Sequence, residues 1–196
     1  ALHTKLQDGK YLLVLSDGMG SGPEAMKSSK IAVKMLERLL AAGFEKDVSL
    51  KLINSTLSAN TEEDMYATLD IEILDLYNGN MEFIKNSACP TYIKRGRDVQ
   101  LLKSMTLPTG ILNDVDLVVY DFDLQDGDII VMCTDGVIDS NKEYLNKQLW
   151  LKYLLEDIET SDAQQIADII IGEAIDNDFG NQKDDMTVLV AKIGKK

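Results

Sequence analysis

The apolar positions of this chain change period several times. Tyr11-Leu12-Leu13-Val14-Leu15 is a short continuous apolar run, which predicts a buried strand ending at Ser16-Asp17-Gly18. The period then becomes helical. Met26, Ser29, Val33, Leu36 and Leu40 recur at spacings of three and four, predicting a helix from about Gly22 to Ala42 with that face buried. Ser21 and Glu24 form a capping-box pattern with Pro23 in the first turn, and Gly43 sits where a C-terminal cap belongs. A second helix is predicted from about Asp47 to Asn60, with Leu50, Ile53 and Leu57 on one face.

The middle of the chain switches to a period of two. Ala67, Leu69, Ile71 and Ile73 alternate with Thr68, Asp70, Glu72 and Leu74, and Asn78-Gly79 predicts a hairpin into a strand from about Asn80 to Asn86. Thr91 to Lys94 and Val99 to Lys103 form a second pair around Arg95-Gly96-Arg97. Leu117 to Phe122 and Asp128 to Thr134 form a third around Gln125-Asp126-Gly127. Helices return at about Asn146 to Asp157 and Ser161 to Asn177, and a strand from Met186 to Ile193 ends the pattern. Hairpin-joined strands imply antiparallel sheets and the helices come in pairs, so the expected class is α+β with sheets covered by helical layers.

Composition narrows the function classes. A length of 196 residues predicts one domain over 1–196, and a 45% apolar content is that of a globular chain. The 20 Lys+Arg against 33 Asp+Glu give a net charge of −13. That balance argues against nucleic-acid binding and suits divalent cations. The longest apolar run, Ile129 to Cys133, falls well short of the roughly 18 residues of a membrane helix, so no direct membrane contact is expected of this segment. Cys89 and Cys133 lie far apart with no CxxC or Cys/His spacing, which argues against structural zinc and suits a reducing compartment. The only histidine, His3, lies near a terminus, away from any serine or cysteine constellation.

A local pattern carries the chemistry. Leu15-Ser16-Asp17-Gly18 and Cys133-Thr134-Asp135-Gly136 each end an apolar run with a hydroxyl residue, Asp and Gly, while Asp184-Asp185 precedes the final strand. Taken alone, an Asp-Gly is usually just a turn, and an Asp-Asp before a strand is usually solvated. Together they place three sets of carboxylates at strand ends, where a hard cation such as Mg²⁺ or Mn²⁺ would neutralise their repulsion. Gly18-Met19-Gly20-Ser21-Gly22 opens a helix but matches neither a P-loop nor a dinucleotide fingerprint.

Ser16-Asp17-Gly18-Met19-Gly20, Thr134-Asp135-Gly136 and Asp184-Asp185-Met186-Thr187 together resemble three ordered motifs of the PP2C-type (PPM) metal-dependent protein phosphatases. Ile53-Asn54-Ser55, Tyr66 to Asp75, Tyr92 to Gly96, Leu107 to Ile111 and Gln164 to Asp168 resemble, within that family, the phosphatase domains of the stage II sporulation protein E group. The resemblance implies a four-layer αββα sandwich of two antiparallel sheets flanked by helices. It implies two Mn²⁺ or Mg²⁺ ions, with Asp17 bridging, the Gly18 carbonyl on one ion, and Asp135 and Asp184 on the other. Asp185 occupies a more variable neighbouring position and ranks below Asp184. The nucleophile would be a water between the ions, with no catalytic side chain.

The implied reaction is hydrolysis of a phosphoserine on an anti-sigma factor antagonist, activating a sporulation sigma factor. The implied setting is the cytoplasmic domain of a membrane-anchored bacterial protein, with a homodimer left open. Two departures qualify this. The family's further acidic ligand should fall just before Ala1, since Asp8 reads as a hairpin turn with Gly9; the resemblance thus implies an N-terminally truncated domain with an incomplete second metal site. Met19 stands where some relatives place a histidine. A catalytically impaired metal-binding or interaction module of the same fold is the alternative, and a two-metal nuclease is disfavoured by charge.

Other candidates have plainer readings beside them. Lys94, Arg95 and Arg97 cluster at a hairpin tip, as a solvated turn or as a docking contact for an acidic phosphoprotein. Trp150 reads as a core anchor. The helix pair from Gly22 to Asn60 starts at the Asp17 loop, so its movement would reshape a site there.

Overall fold

The computed structural model describes residues 1–18, 23–59, 66–103, 109, 118–178 and 184–194. Its elements, in chain order, are β1 (Leu2–Lys5), β2 (Lys10–Leu15), α1 (Pro23–Ala41), α2 (Lys46–Ser58), β3 (Leu69–Asp75), β4 (Asn80–Asn86), β5 (Thr91–Arg95), β6 (Asp98–Leu102), β7 (Val118–Asp123), β8 (Ile129–Cys133), α3 (Asp135–Ile138), α4 (Gln148–Asp157), α5 (Ala163–Asn177) and β9 (Val188–Lys192). The chain divides into two compact units, Ala1–Ala88 with Ser104–Asp123, and Cys89–Lys103 with Leu124–Lys196.

The first unit holds a five-stranded antiparallel sheet of order β1-β2-β3-β4-β7. Leu12 and Val14 of β2 and Leu69, Ile71 and Ile73 of β3 share one face. They pack against Ala32 and Leu36 of α1 and Leu50, Ile53 and Leu57 of α2. Alternation like that of β3 ordinarily marks a strand with one wet face. Here the alternate residues are buried too: Asp70 is 1% and Glu72 0% exposed, and Asp70 pairs with the buried Lys85 of β4. Of the expected apolar face of α1, Leu36 is buried and Val33 and Leu40 pack against the core, while Met26 does not. Ser28, Ala32 and Leu36 are its buried line, while Met26 is 65% exposed beside Lys27 and Lys30 in a groove of about 530 Å³. Gly43 caps α1 as expected, at φ +84°, with Phe44 N–H donating to the Leu39 carbonyl and Gly43 N–H to that of Leu40. The Ser21–Glu24 capping box lies outside the described residues.

The second unit holds a four-stranded antiparallel sheet of order β6-β5-β8-β9. Tyr92, Val131 and Cys133 pack with Val137 of α3, Trp150 and Leu155 of α4, and Ile166 and Ile170 of α5. Trp150 is the core anchor the sequence suggested, its indole N–H donating to the Ile138 carbonyl. Cys133 is buried and Cys89 half-buried.

The expected pairing around Gln125-Asp126-Gly127 is not present. The turn itself forms, with Gly127 at φ +87°, but β7 pairs with β4 in the first unit while β8 pairs with β5 and β9 in the second. The structure is thus α+β, with two antiparallel sheets, each carrying its own helices.

Candidate metal centre

In the second unit, β8 is buried along its whole length and delivers Thr134, after which one helical turn, α3, begins at Asp135. β9 runs antiparallel to β8 from the pair Cys133↔Val188 to Ile129↔Lys192. That register brings Asp184 and Asp185, which precede β9, to the same end of the sheet as Asp135. The Asp135 carboxyl is held above its ordinary range, first by desolvation and next by the charge of Asp184. Gly136 is needed there: a Cβ on it would stand 2.4 Å from the Asp185 carbonyl oxygen and 3.3 Å from the Asp184 Cβ. The backbones on either side of the acidic pair therefore touch at a point where no side chain fits.

In the first unit, β2 ends at Leu15 and hands the chain to Ser16-Asp17-Gly18. Asp17 N–H donates to the Thr68 hydroxyl at 2.9 Å, and Thr68 N–H donates to the Asp17 carbonyl at 2.8 Å. Gly18 bridges Ala67, which in turn bridges Thr109. A Cβ on Gly18 would lie 1.8 Å from the carbonyl oxygen of Ala25 in the first turn of α1. The Ser16 hydroxyl is buried and makes no hydrogen bond among the described residues. Met19, Gly20 and Gly22 lie outside the described residues, as do Leu107, Pro108, Gly110 and Ile111.

These residues fit a hard divalent cation. The donors are oxygens only, the Asp135–Asp184 pair carries repulsion that a cation relieves, and Gly136 makes a cradle free of a side chain. Among the described residues no group of three or more His, Cys, Asp or Glu side chains gathers on one point.

The family model for Stage II sporulation protein E (SpoIIE) matches residues 7–194. The chain belongs to the SpoIIE family. Stage II sporulation protein E of Bacillus subtilis (strain 168) is 39% identical over 184 residues, which is 94% of this chain but 22% of that protein. The chain thus spans about a fifth of that relative. The structure of the PP2C phosphatase domain of B. subtilis SpoIIE with a fragment of its regulatory domain matches with a TM-score of 0.90. It does so at 38% identity, over 98% of this chain and 57% of that one. A crystal form of the SpoIIE phosphatase domain without domain swapping matches with a TM-score of 0.76 at 36% identity, over 98% of this chain and 83% of that one. The fold is that of the PP2C phosphatase domain of SpoIIE.

Within this SpoIIE-family domain the basic cluster on β5 turns out to be structural. Arg95 makes two hydrogen bonds to the buried Asp128, from Nε at 2.8 Å and Nη2 at 2.7 Å. Lys94 is 5% exposed, and its ammonium donates to the Leu155 carbonyl of α4. Arg97 stands fully at the surface, facing Glu159 at 3.9 Å. Among the described residues no helix is long and apolar enough to cross a membrane. The sequence reading missed Thr68. Its only signal was a polar residue among apolar ones just before β3.

Proposed function

We propose that this chain, acting as one catalytic domain over 1–196, hydrolyses phosphoserine on a protein with the help of two Mn²⁺ or Mg²⁺ ions. Asp135 and Asp184 would hold one ion, with Asp185 in support; Asp17 would bridge to the second, and the Gly18 carbonyl would complete its ligands. The observation that carries this reading is the juxtaposition of Asp135 and Asp184 across the β8–β9 end, in a chain of the SpoIIE family. A related structure, the B. subtilis SpoIIE phosphatase domain at 32% identity, was presoaked with Mn.

Divalent cations, when bound, supply Lewis acidity toward phosphoryl oxygens and favour deprotonation of water. The chain's own residues do the rest. The charge repulsion between Asp135 and Asp184 is relieved more by a dication than by a monovalent ion, which favours a divalent cation there. Thr68 fixes the backbone of Asp17 in both directions, which sets where its carboxylate leaves the strand end. Gly18, packed on the Ala25 carbonyl, keeps its own carbonyl on a fixed stretch of backbone. The substrate we propose is a phosphorylated anti-sigma factor antagonist, whose dephosphorylation activates a sporulation sigma factor. The domain would be the cytoplasmic part of a longer, membrane-anchored protein.

The test is phosphate release from a phosphoserine protein by the 196-residue chain, with and without Mn²⁺. Release that requires Mn²⁺ and disappears in Asp135→Asn supports the reading. Mn²⁺ binding without release of phosphate would shift it to a metal-binding interaction module. Mn²⁺-dependent cleavage of a plasmid would shift it to a nuclease.

A further inference from the structure

We infer that the Thr134 hydroxyl is a positioning group for the acidic pair: it fixes the backbone of Asp184 and Asp185 beside Asp135 so that both carboxylates meet one cation. The inference rests on the metal-dependent reading above.

Thr134 follows β8, is 6% exposed, and occupies the N-cap of α3. A threonine at that position ordinarily turns its hydroxyl toward the free N–H groups of the helix's first turn. This one makes no side-chain cap hydrogen bond. Its hydroxyl donates to the Asp185 carbonyl at 3.1 Å and accepts from the Thr187 N–H at 3.0 Å. The Thr134 N–H donates to the Thr187 carbonyl at 3.1 Å. Three hydrogen bonds thus join the residue before Asp135 to the segment after Asp184. The same Asp185 carbonyl lies 2.4 Å from where a Gly136 Cβ would be. Thr134 and Gly136 are the two chain neighbours of Asp135, and between them they grip one peptide group of the facing segment.

The physical need is plain. Two carboxylates brought together push each other apart unless something other than their own charges holds them. A neutral hydroxyl bonded to backbone does this without occupying a carboxylate oxygen that a cation would use. Groups that orient metal ligands in this way typically change metal affinity by about 10–100-fold. A cap that merely terminated α3 would point along the helix, and this hydroxyl points across to the other strand.

The test is Mn²⁺ affinity of the 196-residue chain, read by calorimetry and by electron paramagnetic resonance of free Mn²⁺, beside the Tm of the metal-free protein. Thr134→Val keeps the shape and removes both hydroxyl hydrogen bonds; its Mn²⁺ Kd is expected to rise about tenfold or more. Thr134→Ser keeps the hydroxyl and is expected to stay within about threefold of wild type, by the same reasoning. A folded Thr134→Val that binds Mn²⁺ as wild type does, with only a lower Tm, overturns the inference and leaves the metal-dependent reading standing. So does a folded Thr134→Ser that loses affinity as Thr134→Val does. Should Thr134→Val fail to fold, hydrogen exchange on the wild-type chain decides. The Thr187 amide is expected to be protected before Mn²⁺ is added, and free exchange there in the metal-free protein overturns the inference. A wild-type chain that binds no Mn²⁺ removes the reading beneath it, and the inference with it.

Discussion

Asp135 and Asp184 stand near enough that, after the larger effect of partial burial, the Asp184 charge lifts the Asp135 carboxyl further above its ordinary range. The pair joins two strand ends far apart in the sequence, and it faces outward, Asp135 being solvent-exposed. Such an arrangement gains nothing for the metal-free fold. Under the proposed function, a dication would offset the repulsion.

The first prediction follows from that sign. A raised carboxyl pKa means that the folded protein binds the proton more tightly than the unfolded chain. The resulting stability is present below the unfolded value, about 4, and is lost as pH rises through the folded value. At neutral pH the ionised Asp135 therefore opposes folding. Asp135→Asn should raise the Tm of the metal-free protein by about 1 °C, since solvent screening keeps an exposed repulsion to a few tenths of a kcal/mol. It should also abolish the Tm rise that Mn²⁺ gives the wild-type chain. Differential scanning fluorimetry with and without Mn²⁺ checks both, and a variant still stabilised by Mn²⁺ would remove Asp135 from the ligand set.

Glycine is required at two contacts for lack of space. Gly136→Ala must displace the Asp185 backbone, and Gly18→Ala must displace the first turn of α1. Each should destabilise the fold by about 1–3 kcal/mol, the scale of overpacking against backbone. Urea denaturation measures this, and unchanged midpoints would show that the contacts are looser than described.

Thr68 should matter beyond its size. Thr68→Val removes the hydroxyl that accepts the Asp17 N–H while leaving the Thr68 N–H bond to the Asp17 carbonyl in place. The expected loss is about 1–2 kcal/mol of stability, that of a part-buried donor left without its acceptor. The rate of Mn²⁺-dependent phosphate release should fall as well. A stable, fully active Thr68→Val would mean that the orientation of Asp17 is set elsewhere.

Arg95 separates structure from docking. Asp128 is buried, takes two hydrogen bonds from Arg95, and also accepts the Gln125 N–H at 2.7 Å. Arg95→Ala should cost about 2–3 kcal/mol, because a buried carboxylate loses its counter-charge. Arg97→Ala, at an exposed contact with Glu159, should leave stability unchanged. Equal small effects of both on stability, with a shared loss of substrate affinity, would restore the docking reading.

Much of this was legible in the chain, for physical reasons that also set the limits. The apolar run at Tyr11–Leu15, the helix over Lys46–Ser58 with Leu50, Ile53 and Leu57 inward, and the Gly43 cap follow from local periodicity and local backbone preference. Strand β1 was missed because Leu2-His3-Thr4-Lys5 is short and half-buried, so its signal is weak. Helix α3 was missed because a single turn over Asp-Gly reads locally as a turn. The Gln125–Gly127 turn was recognised, yet a turn does not decide which sheet receives the next strand, and β7 and β8 joined different ones. The pattern of hydroxyl, Asp and Gly treated Ser16 and Thr134 alike. The structure distinguishes them, because hydrogen bonds spanning 51 and 53 residues join Thr134 to the Asp185 segment, while Thr68 takes the corresponding part beside Asp17.

The most direct test of the central claim is the Mn²⁺ dependence of phosphate release from a phosphoserine protein, followed in wild type, Asp135→Asn and Asp184→Asn. The account predicts a saturable dependence on Mn²⁺ in the wild-type chain. It predicts losses of at least about a hundredfold in each variant, the size of a removed electrostatic contribution to phosphoryl transfer. Release of phosphate without added cation, or equal rates in wild type and both variants, would contradict it.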